Sequence, residues 1–180
     1  MTGLRERFTW SQRLVHWLMA VCILAMLFIG VGMMSTVRPT YLTLVSIHKP
    51  LGATLLVLAF VRLALRLRYG APPLPSGMPE PMKLAARLSH YAFYVLMFAM
   101  PLLGWGMLSA AAYPVMLFGG VHLPAILPQS DSLHSLLWAA HRYLALVFFA
   151  LILLHLAAAL FHALIRRDGV FETMASVRGR

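Results

Sequence analysis

Residues 136–165 read LLWAAHRYLALVFFALILLHLAAALFHALI. Arg142 is the one charged residue in that run. About 20 apolar residues suffice to carry a helix across the hydrocarbon core of a bilayer. Lipid offers the backbone no hydrogen-bond partners, so such a span is helical. This run exceeds the minimum and is expected to project beyond the membrane. It also carries His141, His155 and His162. At about 100° and 1.5 Å per residue, the 14-residue step from His141 to His155 falls about 40° short of four full turns and covers about 21 Å. The two imidazoles therefore face the same way at different depths.

Three more apolar stretches precede this one, at about 14–34, 48–67 and 88–108. Of the 180 residues, 61% are hydrophobic and 11% charged, against about 25% charged in a soluble domain. A water-soluble core of this size cannot hide so much apolar surface, so the bilayer is the expected solvent. The expectation is an all-α integral membrane protein: a four-helix bundle forming a single domain over residues 1–180. Arg5, Arg7 and Arg13 before an apolar run mimic a signal peptide. The run of 14–34 is longer than an h-region of about 7–15 residues, and it reads as a retained first helix.

The net charge is +10, and the distribution of the basic residues sets orientation. Twelve of the fifteen basic residues fall at the N-terminus, in the 2–3 connection and at the C-terminus, including Arg62, Arg66, Arg68, Lys83 and Arg87. Arg38, Lys49 and Arg142 lie on the other side. Basic residues are retained in the cytoplasm, so both termini are expected there. The stretch GAPPLPSGMPEPM (70–82) is proline-rich and reads as an extended linker. Residues 109–133, mostly uncharged and containing Pro114, Gly119, Gly120, Pro124 and Pro128, are expected to fold over the outer face. Pro101, Gly104 and Gly106 either kink the third helix or admit a close neighbour.

Eight histidines are many for so apolar a chain, and ionisable groups within a membrane are costly and usually functional. The antiparallel topology puts His48 level with His141 near the outer side, and His16 level with His155 near the cytoplasmic side. Two pairs about 21 Å apart suit two stacked haems, one near each face. Iron with two histidine ligands has no open position and favours electron transfer. The residue four places after each of these histidines is small: Ala20, Gly52, Ala145 and Ala159. After His90, His122, His134 and His162 it is Tyr94, Ile126, Trp138 and Arg166. A small residue one turn along leaves room for a porphyrin edge. The alternative is that the histidines hydrogen-bond between helices, a reading that suits His122 and His134 in the outer loop. Phe148, midway between His141 and His155, is placed between the haems or in ordinary packing.

Other chemistries find little support. Cys22 is the only cysteine, which excludes an intrachain disulfide and the C-x-x-C-H attachment of a c-type haem. The acidic residues Glu6, Glu80, Asp131, Asp168 and Glu172 all lie outside the apolar runs. There is no H-E-x-x-H, P-loop or dinucleotide fingerprint.

Taken in order, RLVHW (13–17), IHKPLG (47–52), VRLALRLRY (61–69), LSHYAFY (88–94), PLLG (101–104) and the H-x13-H from His141, followed by His162, resemble the bacterial cytochrome b561 family. The similarity covers nearly the whole chain. It implies a dihaem cytochrome b of the bacterial inner membrane that exchanges electrons with quinone, with His16, His48, His141 and His155 matching the family's haem ligands. One stand-alone branch is similar to superoxide oxidases, which pass electrons from periplasmic superoxide to ubiquinone. The short chain favours that branch. Related branches are relay subunits that dock a dehydrogenase or hydrogenase. A non-redox helical membrane protein is the third reading.

Two further sets of residues complete the expectations. His162, with His90 as second candidate, is expected at a cytoplasmic quinone site, where histidine can supply the protons that reduction consumes; the alternative partners are headgroups or a haem propionate. Lys49 and Arg142 directly follow His48 and His141. They either attract an anionic donor such as superoxide or neutralise propionates.

Overall fold

The computed structural model describes residues 7–37, 39–117 and 120–175. Arg5, Glu6, Arg38, Gly119, Arg178 and Arg180 lie outside the described residues. Four long helices carry the fold: α1 (Trp10–Ser35), α2 (Thr40–Tyr69), α3 (Glu80–Ala110) and α4 (Asp131–Leu160). A π-helical turn, Phe161–Arg166, continues α4, and a short α5 (Glu172–Ala175) follows. All four long helices are long and apolar enough to cross a membrane.

Each helix extends several residues beyond its apolar run, because a backbone stays helical after the sequence turns polar if its ends are satisfied. Thr9 and Gln12 form a capping box that starts α1. Ser130 caps α4 through Leu133 N–H. Pro81 sits at the start of α3, where its missing N–H costs nothing. Like α3, α2 starts eight residues before its apolar run. His48 was expected to open this helix, yet it lies two turns inside. In the added segment, Ser46 satisfies its hydroxyl on the Thr43 carbonyl of the same helix. Pro50 is inside α2 and buried, where it removes one backbone donor near His48.

The helices pack as two antiparallel hairpins, α1 with α2 and α3 with α4, joined chiefly through α2 and α3. Small residues allow the approach: a Cβ on Gly32 would stand 2.9 Å from Leu44 Cδ1, and one on Gly106 would stand 3.1 Å from Leu127 and 3.3 Å from Leu137. The buried core is a thin central layer of Met19, Ala59, Leu96, Met97 and Phe148. Outside it the bundle presents Phe28, Val31, Val57, Val95, Leu146 and Leu154, each more than half exposed. That surface belongs against lipid rather than water.

Phe8 N–H donates to the Thr173 carbonyl at 3.3 Å, so both ends of the described chain meet at one end of the bundle, called here the terminal end. The opposite, loop end is covered by residues 111–117 and 120–130 of the connection between α3 and α4. The connection contains a small antiparallel ribbon, β1 (Val115–Met116) with β2 (His122–Leu123), in an otherwise helical fold. Trp105 Nε1 donates to Pro124 O at 2.9 Å, and Ser109 Oγ accepts from Ile126 N–H at 3.2 Å, which fix the connection to α3. The proline-rich linker is also held down, with Met78 buried in the turn that leads into α3.

Candidate functional site: two histidine pairs on one helix

The fourth helix brings its two histidines against two different neighbours. At the loop end, His141 faces His48 of α2 with ring centroids 6.1 Å apart. At the terminal end, His155 faces His16 of α1 at 6.5 Å. A metal ion held about 2 Å from one nitrogen of each ring places the centroids about 6 Å apart, so both separations fit a two-imidazole site. His48 Nδ1 and His141 Nδ1 are buried and make no hydrogen bond. The Met100 carbonyl approaches His141 without reaching hydrogen-bond geometry. Unpaired buried nitrogens are uncommon in a finished protein interior, and their placing on two facing histidines fits a site that receives a ligand.

The supports of each ring are local. Gln12, one turn before His16, donates through Nε2 to Gly70 O at 2.9 Å and thereby ties the start of α1 to the end of α2. Gly70 can offer that carbonyl because its φ of 70° turns the chain sharply after α2. Gly104 of α3 lies beside the other pair, where a Cβ would meet His141 Cε1 at 3.5 Å. Gly104 and Gly106 thus serve close approach, while Pro101 lies inside the continuous helix α3. Phe148 is buried in the central layer and makes an edge contact with Phe93 at 6.0 Å. Being midway between His141 and His155 on α4, it lies in the layer that separates the two pairs.

The prokaryotic cytochrome b561 family model matches residues 7–176. The chain belongs to the prokaryotic cytochrome b561 family. It is 31% identical over 176 residues to cytochrome b561 homolog 2 of Escherichia coli K12, covering 96% of this chain and 93% of that one. It is 29% identical over 177 residues to cytochrome b561 homolog 1 of the same organism, covering 94% and 97%. A protein of Yersinia pestis named probable superoxide oxidase CybB is 32% identical over 129 residues, 71% of this chain and 72% of its own length. Membership makes the chain a membrane electron-transfer protein of a family that binds haem b.

Within this cytochrome b561 fold the remaining candidates are placed as follows. His90 of α3 is exposed on one flank, and its ring lies 6.1 Å from His155. It belongs beside the terminal-end pair, level with it rather than beyond it. Lys49 Nζ donates to Pro114 O at 3.3 Å and so ties the loop-end connection to α2. Arg142 lies over the Trp138 ring at 5.6 Å. The structure gives these two cations separate partners and does not join them. His134, expected in the outer loop, lies in the first turn of α4, where its Nδ1 bonds the Met107 carbonyl of α3 at 2.8 Å, and His122 sits in β2.

His162 is buried in the π-helical turn, with Nδ1 2.8 and 3.0 Å from the two oxygens of Asp168. Arg166 Nε donates to the same carboxylate at 2.9 Å. Burial pushes the Asp168 carboxyl up, but the bonds from His162, Arg166 and Val170 N–H outweigh it and hold the group below the ordinary range. Three contributors escaped the reading of motifs. Gln12 carries no chemical signature of its own. Asp168 looked like one more acidic residue outside a span. Arg62, counted as a topology charge, stands beside Tyr94 and close to His16, His90 and His155; its position inside an apolar run was the available signal.

Proposed function

We propose that the chain is a dihaem cytochrome b, a single domain over residues 1–180 of the bacterial inner membrane with both termini cytoplasmic. His48 and His141 hold a haem near the periplasmic face, and His16 and His155 hold one near the cytoplasmic face. The observation that carries the reading is the pair of ring separations, 6.1 Å and 6.5 Å, at two depths of one helix. A haem bound between two histidines supplies a one-electron carrier with no open coordination position. The protein's part is to fix the ligand pairs, to exclude water with the apolar central layer, and to keep the two sites at separate depths.

The electrons enter from a periplasmic one-electron donor and leave to quinone. Superoxide is the donor this reading favours and ubiquinone the acceptor, supported by the likeness to the Yersinia pestis protein. Two superoxide ions each lose one electron and become dioxygen. Ubiquinone gains those two electrons and two protons and becomes the quinol. Lys49 and Arg142 supply positive charge next to the outer ligands, which favours an anionic donor. His162 and His90 are the candidates at the cytoplasmic quinone site; His90 has an exposed flank from which a membrane-soluble quinone can approach. Stopped-flow mixing of purified protein with superoxide tests the reading. Rapid haem reduction followed by reoxidation on adding ubiquinone-1 is expected. Haems that superoxide leaves oxidised would exclude it as donor.

A further inference from the structure

In an uninterrupted α-helix, residue 168 would lie about 9 Å further along the axis than residue 162 and about 120° around it. Their side chains could not meet. The chain departs from the α-helix at this point. The Arg167 N–H reaches back five residues to His162 O at 2.8 Å, closing a π-helical turn. Arg167 then adopts a left-handed conformation, φ 51°, unusual for a residue with a side chain. The reversal returns Asp168 to the ring of His162. Backbone irregularity of this kind concentrates at functional sites, and here its local product is one histidine–carboxylate contact.

The surroundings keep that contact in place. The side chains of His162 and Asp168 are only 11% and 13% exposed. Arg166 Nε donates to Oδ2, the oxygen nearer His162 Nδ1, and Val170 N–H closes on Oδ1 at 3.4 Å. The following segment is fastened to α1, where Trp17 Nε1 donates to Met174 O at 3.2 Å. Trp17 is the neighbour of His16, so the turn is tied to the element that carries a terminal-end histidine.

We propose that Asp168 is a positioning residue that fixes His162 as the proton donor for quinone reduction at the terminal end. The inference rests on the quinone reading above and deepens it. The carboxylate accepts a hydrogen bond from Nδ1–H, which sets the ring orientation and leaves Nε2 as the nitrogen free to donate. As the quinone receives two electrons from two one-electron oxidations of the donor, the His162 ring, protonated on both nitrogens, gives its Nε2 proton to a carbonyl oxygen of the quinone and keeps Nδ1–H on Asp168. The Nε2–H bond breaks, the O–H bond of the quinol forms, and the ring is reprotonated from the aqueous side. The second proton reaches the other quinone oxygen from the same side. The ionised Asp168 stabilises the charged ring between these transfers, and Arg166 keeps Asp168 ionised.

The test compares two acceptors on the haem-loaded protein. Ubiquinone-1 needs protons with its electrons, whereas ferricyanide takes electrons alone. Asp168→Asn is expected to reduce the maximal rate of reoxidation by ubiquinone-1 about 10- to 100-fold, the range for removing the partner that orients a functional histidine. Its KM for ubiquinone-1, haem spectrum and reoxidation by ferricyanide stay as in the parent. Asp168→Glu restores most of the lost rate, because it returns the carboxylate. A parent-like ubiquinone-1 rate in Asp168→Asn overturns the proposal, and so does an equal slowing with both acceptors, which marks a structural role. If the parent protein itself fails to reoxidise with ubiquinone-1, the quinone reading falls first.

Discussion

At the terminal end, His155 has two imidazole neighbours at nearly equal distance, His16 at 6.5 Å and His90 at 6.1 Å. Separation alone does not choose between them. The choice of His16 rests on its match to the RLVHW motif and on the anchoring of its helix by Gln12 one turn before. His90→Leu is therefore expected to keep both haems with unchanged low-spin spectra, while His16→Leu loses the cytoplasmic one. The opposite outcome in optical and paramagnetic resonance spectra would move the ligand to His90. Lys49 and Arg142 pose a similar choice between steering a donor and neutralising propionates. Steering predicts that Lys49→Gln with Arg142→Gln keeps both haems and slows reduction by superoxide several-fold. It also predicts that the parent rate falls as salt rises, since exposed charges are screened beyond about 10 Å at 0.1 M. Loss of the outer haem in the double variant would instead assign the pair to propionates. The placing of His141 and His155 on one face at two depths was legible in the sequence, because a helix converts a 14-residue step into that geometry. Gln12 and Asp168 were not, since each acts through a contact made by chain reversal: Gln12 on the Gly70 carbonyl, Asp168 on His162.

Among the elements, α3 contributes no proposed ligand yet shapes the outer site. Gly104 sits where any branched side chain would press on the His141 ring. Gly104→Ala places a Cβ in ordinary contact at 3.5 Å and is expected to be tolerated. Gly104→Ile overfills the gap, a change that costs about 1–3 kcal/mol in a packed interior. It should lower outer haem content while the inner haem stays, read by haem-to-protein ratio and by the remaining spectrum. Retention of both haems at full occupancy would show that α3 does not bound this site. Element boundaries were the least legible part of the fold. Hydropathy marks where lipid begins, whereas the helix ends where its caps and prolines stop it. Thus the α2 segment before His48 continues helically back to Thr40, and within it the Ser46 hydroxyl donates to the Thr43 carbonyl. The β1–β2 ribbon was equally hidden, because two-residue strands leave no periodic pattern to read.

For the molecule as a whole, the four-helix architecture follows from apolar length alone, and the adjacency of its ends is visible in the Phe8–Thr173 bond. A thin core is enough because the bilayer solvates the rest. The pairs then lie at opposite ends, with Phe148 and its neighbours between them. The proposed relay across the membrane requires that both pairs be filled. Haem content decides this most directly. Pyridine haemochrome analysis against protein mass is expected to give two b-haems per chain in the parent, and one each in His141→Ala and His155→Ala, with different haems remaining in the two variants. A parent ratio near one, or variants that lose the same haem, would contradict the two-site account.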